Sequence, residues 1–162
     1  ELLDALADHA LDAVLSDSTD ATRTGAIRWK RVASLAVRFA ATPKIARRQA
    51  RLPWGLKGVS LILPKAPADV YRQVQTYLAE SSISPRVLCE VPDVETARRL
   101  ALDGLGVAPL NALTLGASEP RGRLVALTGS PASLTHTLWM ATAAKRLRPN
   151  PVVEKLLKSF VL

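Results

Sequence analysis

The densest group of side chains able to do chemistry is the run Ser16-Asp17-Ser18-Thr19-Asp20. Hydroxyls and carboxylates spaced this closely can hold a polar ligand by hydrogen bonds. The run follows Leu11–Leu15, an apolar stretch that reads as a strand, and open α/β sheets bind ligands beyond their strand ends. Ser, Thr and Asp are also turn formers, so a capped turn explains the same residues. Other chemistry is thinly represented. His9 and His136 stand far apart, and neither has a metal-ligand neighbour at helical or Cys-rich spacing, so each reads as a surface or packing histidine. The motifs G-x-S-x-G, P-loop and G-x-G-x-x-G are absent. Gly104-Leu105-Gly106 is only G-x-G and follows a helix rather than a strand, the wrong context for a dinucleotide. Asp17, Asp20, Asp93 and Glu95 fall in expected turns, where capping accounts for them. Cys89, the one cysteine, excludes an internal disulfide, fits a reducing compartment, and reads as a buried, inert thiol in an apolar strand. No catalytic, metal or cofactor set emerges, so an enzyme is not expected.

The elements that must position these residues are clearest from Val59 to Leu110. Pro92-Asp93 starts a helix: Asp93 can cap its first amides, and Glu95 places negative charge at its positive end. Val94, Ala97, Leu100 and Ala101 share one helical face, and Gly104 suits the left-handed position past the end. Val107–Leu110 then reads as a short buried strand. Upstream, Val59–Leu63 and Arg86–Val91 are strand-like. They flank a helix that opens with Pro67 at its first position and carries Val70, Val74, Tyr77 and Leu78 on one face. The order β-α-β-α-β predicts parallel pairing with right-handed crossovers. Val59, Leu61, Leu63, Val87, Cys89, Val91, Val107 and Leu110 are the expected buried sheet positions, covered by Val74, Leu78, Ala97 and Ala101.

Elsewhere the pattern predicts an opening helix on Leu2, Leu3, Leu6 and Ala10. Strands are expected near 27–32, 34–40, 124–127 and 134–142, with a short basic helix at 43–50. Asn111–Leu115 reads as one helical turn, 116–122 as a loop and Arg146–Pro149 as a turn. Asn150 caps a last helix with Pro151 first and Val152, Val153, Leu156, Leu157 and Phe160 on its apolar face.

The 162 residues are 48% apolar but only 4% aromatic, so the core is expected to be Leu, Val and Ala. There is no run of eighteen apolar residues and no visible signal peptide, although the sequence opens on Glu1 rather than Met. The net charge of +8 is uneven: residues 1–20 hold six acids and no Lys or Arg, whereas residues 21–68 hold eleven basic residues and no acid. Such a block is either a nucleic-acid footprint or a solvated face. Because it spans expected strands and helices rather than one basic tail, the solvated face is the reading preferred here.

Taken in order, these segments resemble the effector-binding domain of LysR-type transcriptional regulators. ELLDALADHALDAVLSDS is similar to that family's helix–strand pattern LLxxLxxxxLDLVL, GLGVAPL to its G-x-G-I-A-x-L-P segment, and GRLVAL to its G-x-L-V-x-L strand. LTHTLWMAT and NPVVEKLLKSF resemble its C-terminal segment. The segments LADHALDAVLSD and LILPKAPADV are most similar to the branch that regulates sodium/proton antiporters.

The resemblance implies an α/β, two-lobed, periplasmic-binding-protein-like fold in which each lobe is a mostly parallel sheet with flanking helices. Residues 1–35 plus 134–162 would form lobe I, and 42–130 lobe II. Crossing strands near 34–40 and 130–138 would form a hinge. The family's winged helix-turn-helix, its linker helix and the first strands of lobe I have no counterpart here. The expectation is therefore a fragment that does not itself read DNA. The function implied is a cytoplasmic, ligand-sensing domain of a transcriptional activator. A small-molecule or ion effector would bind between the lobes, DNA would be contacted only by the missing part, no membrane would be involved, and the full-length form would be a homo-oligomer. The alternative on the same fold is a solute-binding protein of a transport system. The ligand-binding residues implied are Ser16, Asp17 and Ser18 after a lobe I strand; Lys65 and Ala66 at a helix start, where free amides hold anions; and Gly106 and Val107 at the last lobe II strand. Family dimers pair through the elements equivalent to Ala68–Ser82 and Arg86–Val91. Their lobe I counterparts are the elements missing here, so the chain is expected either to fail to form the usual dimer or to associate in a different way, through Leu11–Leu15 and the crossing strands.

Overall fold

A computed structural model describes all residues except 1, 21, 23, 24, 50, 67, 118–121, 145–149 and 160–162. Pro67, the Arg146–Pro149 turn, Phe160 and part of the 116–122 loop therefore lie outside the described residues. The chain divides into two compact units, Glu1–Ser34 with Thr137–Leu162, and Leu35–His136.

The first unit contains α1 (Leu2–Ala7), β1 (Val14–Ser16), the opening half of β2 (Ile27–Ala41), the closing half of β7 (Thr135–Ala143) and α6 (Pro151–Ser159). Leu6, Val14, Ile27 and Ala141 form its core, with Leu3, Leu11 and Trp29 packed around them. β1 is shorter than the Leu11–Leu15 stretch suggests, and it pairs antiparallel to β7, Val14 opposite Ala141 and Ser16 opposite Trp139. The pairing is antiparallel, where a parallel sheet is expected, because β7 arrives from the other unit running against β1. Ala10 falls beyond α1, and His9 is left-handed at φ 60°.

The expected break between residues 32 and 34 does not occur: β2 is one 15-residue strand, continuous across the unit boundary. Its β-branched and aromatic residues suit extended backbone, and no Gly or Pro interrupts it.

The second unit holds α2 (Pro43–Ala46), a 3-10 turn (Trp54–Leu56), β3 (Ser60–Pro64), α3 (Asp69–Glu80), β4 (Arg86–Val91), α4 (Val94–Leu102), β5 (Ala108–Asn111), α5 (Ala112–Gly116) and β6 (Val125–Ala126). β3 pairs parallel with β4, and Leu61 makes a parallel bridge to Val107, the arrangement the β-α-β-α-β order predicts. β5 and β6 then pair antiparallel to β2.

Alternation along β3 builds two cores. Leu61 and Leu63 join Val74 and Leu78 of α3 on one face. Ile62 joins Ala97 and Ala101 of α4, together with Ala108 and Leu110, on the other. Both faces of β3 are thus covered by helices, as a parallel strand requires. Among the expected sheet positions, Leu61, Leu63, Val91, Val107 and Leu110 are buried, while Val59 and Cys89 are half-buried. Val87 is 48% exposed, a correction to its expected place in the core. β4 is the edge strand, and its register shifts so that Leu61 faces Val87 while Ile62 faces Cys89, which leaves Leu88 as an extra residue. The bulge turns Val87 and Leu88 away from the helices.

Candidate functional site

Two of the three longest helices, α4 and α6, have a side-chain cap. Asp93 accepts the Thr96 amide at 2.8 Å and the Thr96 hydroxyl at 2.8 Å. These bonds, the backbone one first, hold its carboxyl below the usual range. Asn150 accepts the Val152 amide at 3.0 Å in front of α6. The short α5 is likewise capped, by Asn111, whose Oδ1 accepts the Thr114 amide at 2.9 Å. α3 differs: Ala68 stands at its N-cap, and no side chain caps its first turn. The Ala68 side chain cannot accept a hydrogen bond, so it offers the amides that open α3 no cap.

Lys65 and Ala66, both exposed, lie between the carboxyl end of β3 and this open helix start. Lys65 is fixed by its backbone, whose N–H donates to Val91 O at 2.7 Å and whose carbonyl accepts from Ala68 at 3.3 Å. Its ammonium is free to meet an anion. Asp69 in the same first turn is engaged by Arg72 at 2.7 Å and by Gln73 Nε2 at 2.7 Å, which offsets its repulsion of a second negative charge.

Gly106 and Val107 sit elsewhere on the sheet. A Cβ on Gly106 would stand 2.4 Å from Ser60 O, so the glycine lets two backbone segments touch. The Val107 N–H donates to Ser60 O and its carbonyl accepts from Ile62, each at 2.9 Å, and its side chain is fully buried. Val107 is level with Leu61, four residues before Lys65, or roughly 13 Å along a strand. The structure therefore does not bring Gly106–Val107 together with Lys65–Ala66. In the first unit, Ser16 Oγ donates to Ser18 O at 2.8 Å and accepts the Ser18 amide at 3.2 Å. The Ser16 hydroxyl is committed to its own turn, while Asp17 and Ser18 are exposed.

Two polar links in the second unit are not apparent from the sequence. Buried Asn111, at the carboxyl end of β5, approaches His136 Nδ1 with its Nδ2 at 3.1 Å. Its Oδ1 already accepts the Thr114 amide, so Nδ2 is the donor and His136 Nδ1 the acceptor. Gln73 clasps the start of β7, donating to Thr135 O at 2.8 Å and accepting the Thr135 amide at 2.9 Å. An N-cap signal marks Asn111 locally; nothing local marks its partner 25 residues away. Among the described residues no group of three or more His, Cys, Asp or Glu could hold a metal, and no helix is long and apolar enough to cross a membrane.

Residues 1–160 match the family model of the LysR substrate binding domain. No curated protein sequence matches the chain. Among solved structures, the chain is similar to the regulatory domain of CcmR from Synechocystis in complex with 2-PG (TM-score 0.76, 14% identity, 98% of this chain and 76% of that one). It is also similar to the bromide-bound regulatory domain of HypT from Salmonella typhimurium (TM-score 0.75, 16% identity, 98% and 75%). A third likeness is to DarR of Vibrio fischeri in complex with DNA (TM-score 0.74, 14% identity, 96% of this chain and 52% of that one). At these identities the likeness is one of fold.

Proposed function

The chain belongs to the LysR substrate binding domain family, a family of ligand-sensing regulatory domains, and on that premise we propose that it senses a small anionic effector for a transcriptional regulator. The observation that carries the anion is the start of α3 beside Lys65 and Ala66: amides without a side-chain cap, the positive end of a 12-residue helix and an exposed Lys65 converge there. The bromide held by the HypT domain, another anion on this fold, agrees with that choice. Within the first unit, Asp17 and Ser18, with Ser16 shaping their turn, form a separate candidate polar contact region. Gly106 and Val107 act by holding the strand next to β3. Contact with DNA belongs to a segment other than this chain, the working form is a homo-oligomer, and the regulated genes are those of the sodium/proton antiporter branch.

The test is thermal unfolding with bromide, inorganic phosphate and a panel of small carboxylates, followed by calorimetry on any that stabilise. Lys65→Ala weakens binding of the selected anion about tenfold. Equal affinity in the variant removes Lys65 from the site. Sodium chloride and choline chloride at equal ionic strength separate the finer reading, because only a sodium-specific shift in Tm supports the antiporter branch.

A further inference from the structure

A second concave surface lies wholly within the second unit, between α2 and the carboxyl end of α4, with a volume of about 580 Å³. That is inside the range of roughly 300–1,000 Å³ typical of small-ligand sites. Its floor is apolar: Ile45, Val59 and Leu102 are half-buried there, each packed against one of the two cores. Its walls are polar, and their polar groups are uncommitted. Lys44 in α2 and Arg48 in the turn that follows it both line the groove. Asp103 closes α4 across from them. No ion pair joins these three charges to one another or to any other described residue. The Thr42 hydroxyl does not cap α2, and the Gln49 amide makes no side-chain hydrogen bond to another described residue. The other groove, along α3, is different: its Asp69, Arg72 and Gln73 already bond to one another or to Thr135.

Two cations on one wall, and a carboxylate plus the negative end of a helix on the other, form a separated charge pair over an aliphatic floor. We propose that this groove binds a small zwitterion with an aliphatic body, of the class of free aliphatic α-amino acids. The ligand carboxylate lies on Lys44 and Arg48, its ammonium on Asp103 and the α4 carbonyl end, and its side chain on Ile45, Val59 and Leu102. Thr42 and Gln49 supply further hydrogen bonds. None of these residues belongs to the proposed effector site, so the two readings stand or fall separately.

The test uses the whole chain and L-leucine as probe, read by amide chemical shifts and titration. Leucine should bind with a Kd of roughly 1 mM and shift the amides of Thr42–Gln49 and Leu102–Gly104. Lys44→Ala, Arg48→Ala and Asp103→Asn should each weaken it about tenfold while leaving Tm unchanged, because all three side chains are exposed and unpaired. Two truncated probes divide the charges: 4-methylpentanoate lacks the ammonium and 3-methylbutylamine lacks the carboxylate, and each should bind at least about tenfold more weakly. The proposal is overturned if leucine shifts none of these amides, if Asp103→Asn leaves its affinity unchanged, or if 4-methylpentanoate binds as tightly as leucine.

Discussion

Asn111 shows how much one side chain can settle. Its oxygen caps α5 and its amide reaches His136, all with 7% exposure. Asn111→Ala removes the cap and leaves a half-buried ring nitrogen without its partner, so it should cost about 1–3 kcal/mol in urea unfolding. Asn111→Asp keeps the capping oxygen and loses the donor, so it should fall between wild type and Ala. At Gly106, a methyl group would press on Ser60 O, so Gly106→Ala should destabilise by about 1–3 kcal/mol although it adds only one carbon. Glu95 ties acid stability to α4. Hydrogen bonds from Arg98 and then Arg99 lower its carboxyl from the ordinary 4.5 to about 2. A carboxylate whose pKa falls on folding contributes its stability above pH 4.5 and loses it as pH drops through about 2. Glu95→Gln should therefore flatten the fall in Tm over that interval. A slope identical to wild type would show that the pair contributes nothing in solution, the common result for exposed ion pairs.

At the scale of elements, β3 is the strand that both helices need. Leu61 and Leu63 meet α3, while Ile62 meets α4. Leu61→Ala, at a fully buried position, should cost about 2–5 kcal/mol by equilibrium unfolding. Its neighbour across the ladder behaves oppositely. Val87 is 48% exposed, so Val87→Thr should stay within about 0.5 kcal/mol of wild type. β4 offers an open edge with Val87 and Leu88 exposed, and such edges pair with other chains unless a charge blocks them. Leu88→Lys should reduce self-association in light scattering at matched concentration. Association as strong as wild type would place the contact elsewhere, with β1 as the next strand to test.

At the scale of the whole molecule, the chain passes between the two units along two strands, β2 and β7, each of which runs unbroken across the unit boundary. The basic block of residues 21–68 is divided by that boundary: Arg28, Lys30 and Arg31 belong to the first unit, and Arg38 through Lys65 to the second. The block is therefore not one tail. Its second-unit share supplies both Lys65 of the proposed effector site and the Lys44–Arg48 pair of the second groove. Increasing salt should weaken anion binding at Lys65 steeply, since that site is exposed, and Lys65→Ala should remove the salt dependence.

What the sequence by itself determined are the features that reside within a few residues of chain. Asp93 before Thr96, Asn150 before Pro151, Gly104 past α4, and the faces of Val74/Leu78 and Ala97/Ala101 each depend on contacts two to four positions apart, and each is found in the structure. The family was legible for a related reason: the order of its segments is itself a one-dimensional pattern. What only the tertiary structure decided are the choices that depend on which segment lies alongside. Val87 has the residue type of a core strand, yet it is exposed because β4 is an edge and bulges at Leu88. Gly106 is expected near a ligand from its place before the last strand of the second unit, and only the fold shows Ser60 packed against it. Asn111 found His136, Gln73 found Thr135, and Lys44 and Arg48 came to face Asp103, across 25 to 62 residues of chain. Such pairings are set by strand order and helix packing, which residue spacing does not encode; only the folded chain brings those groups within reach.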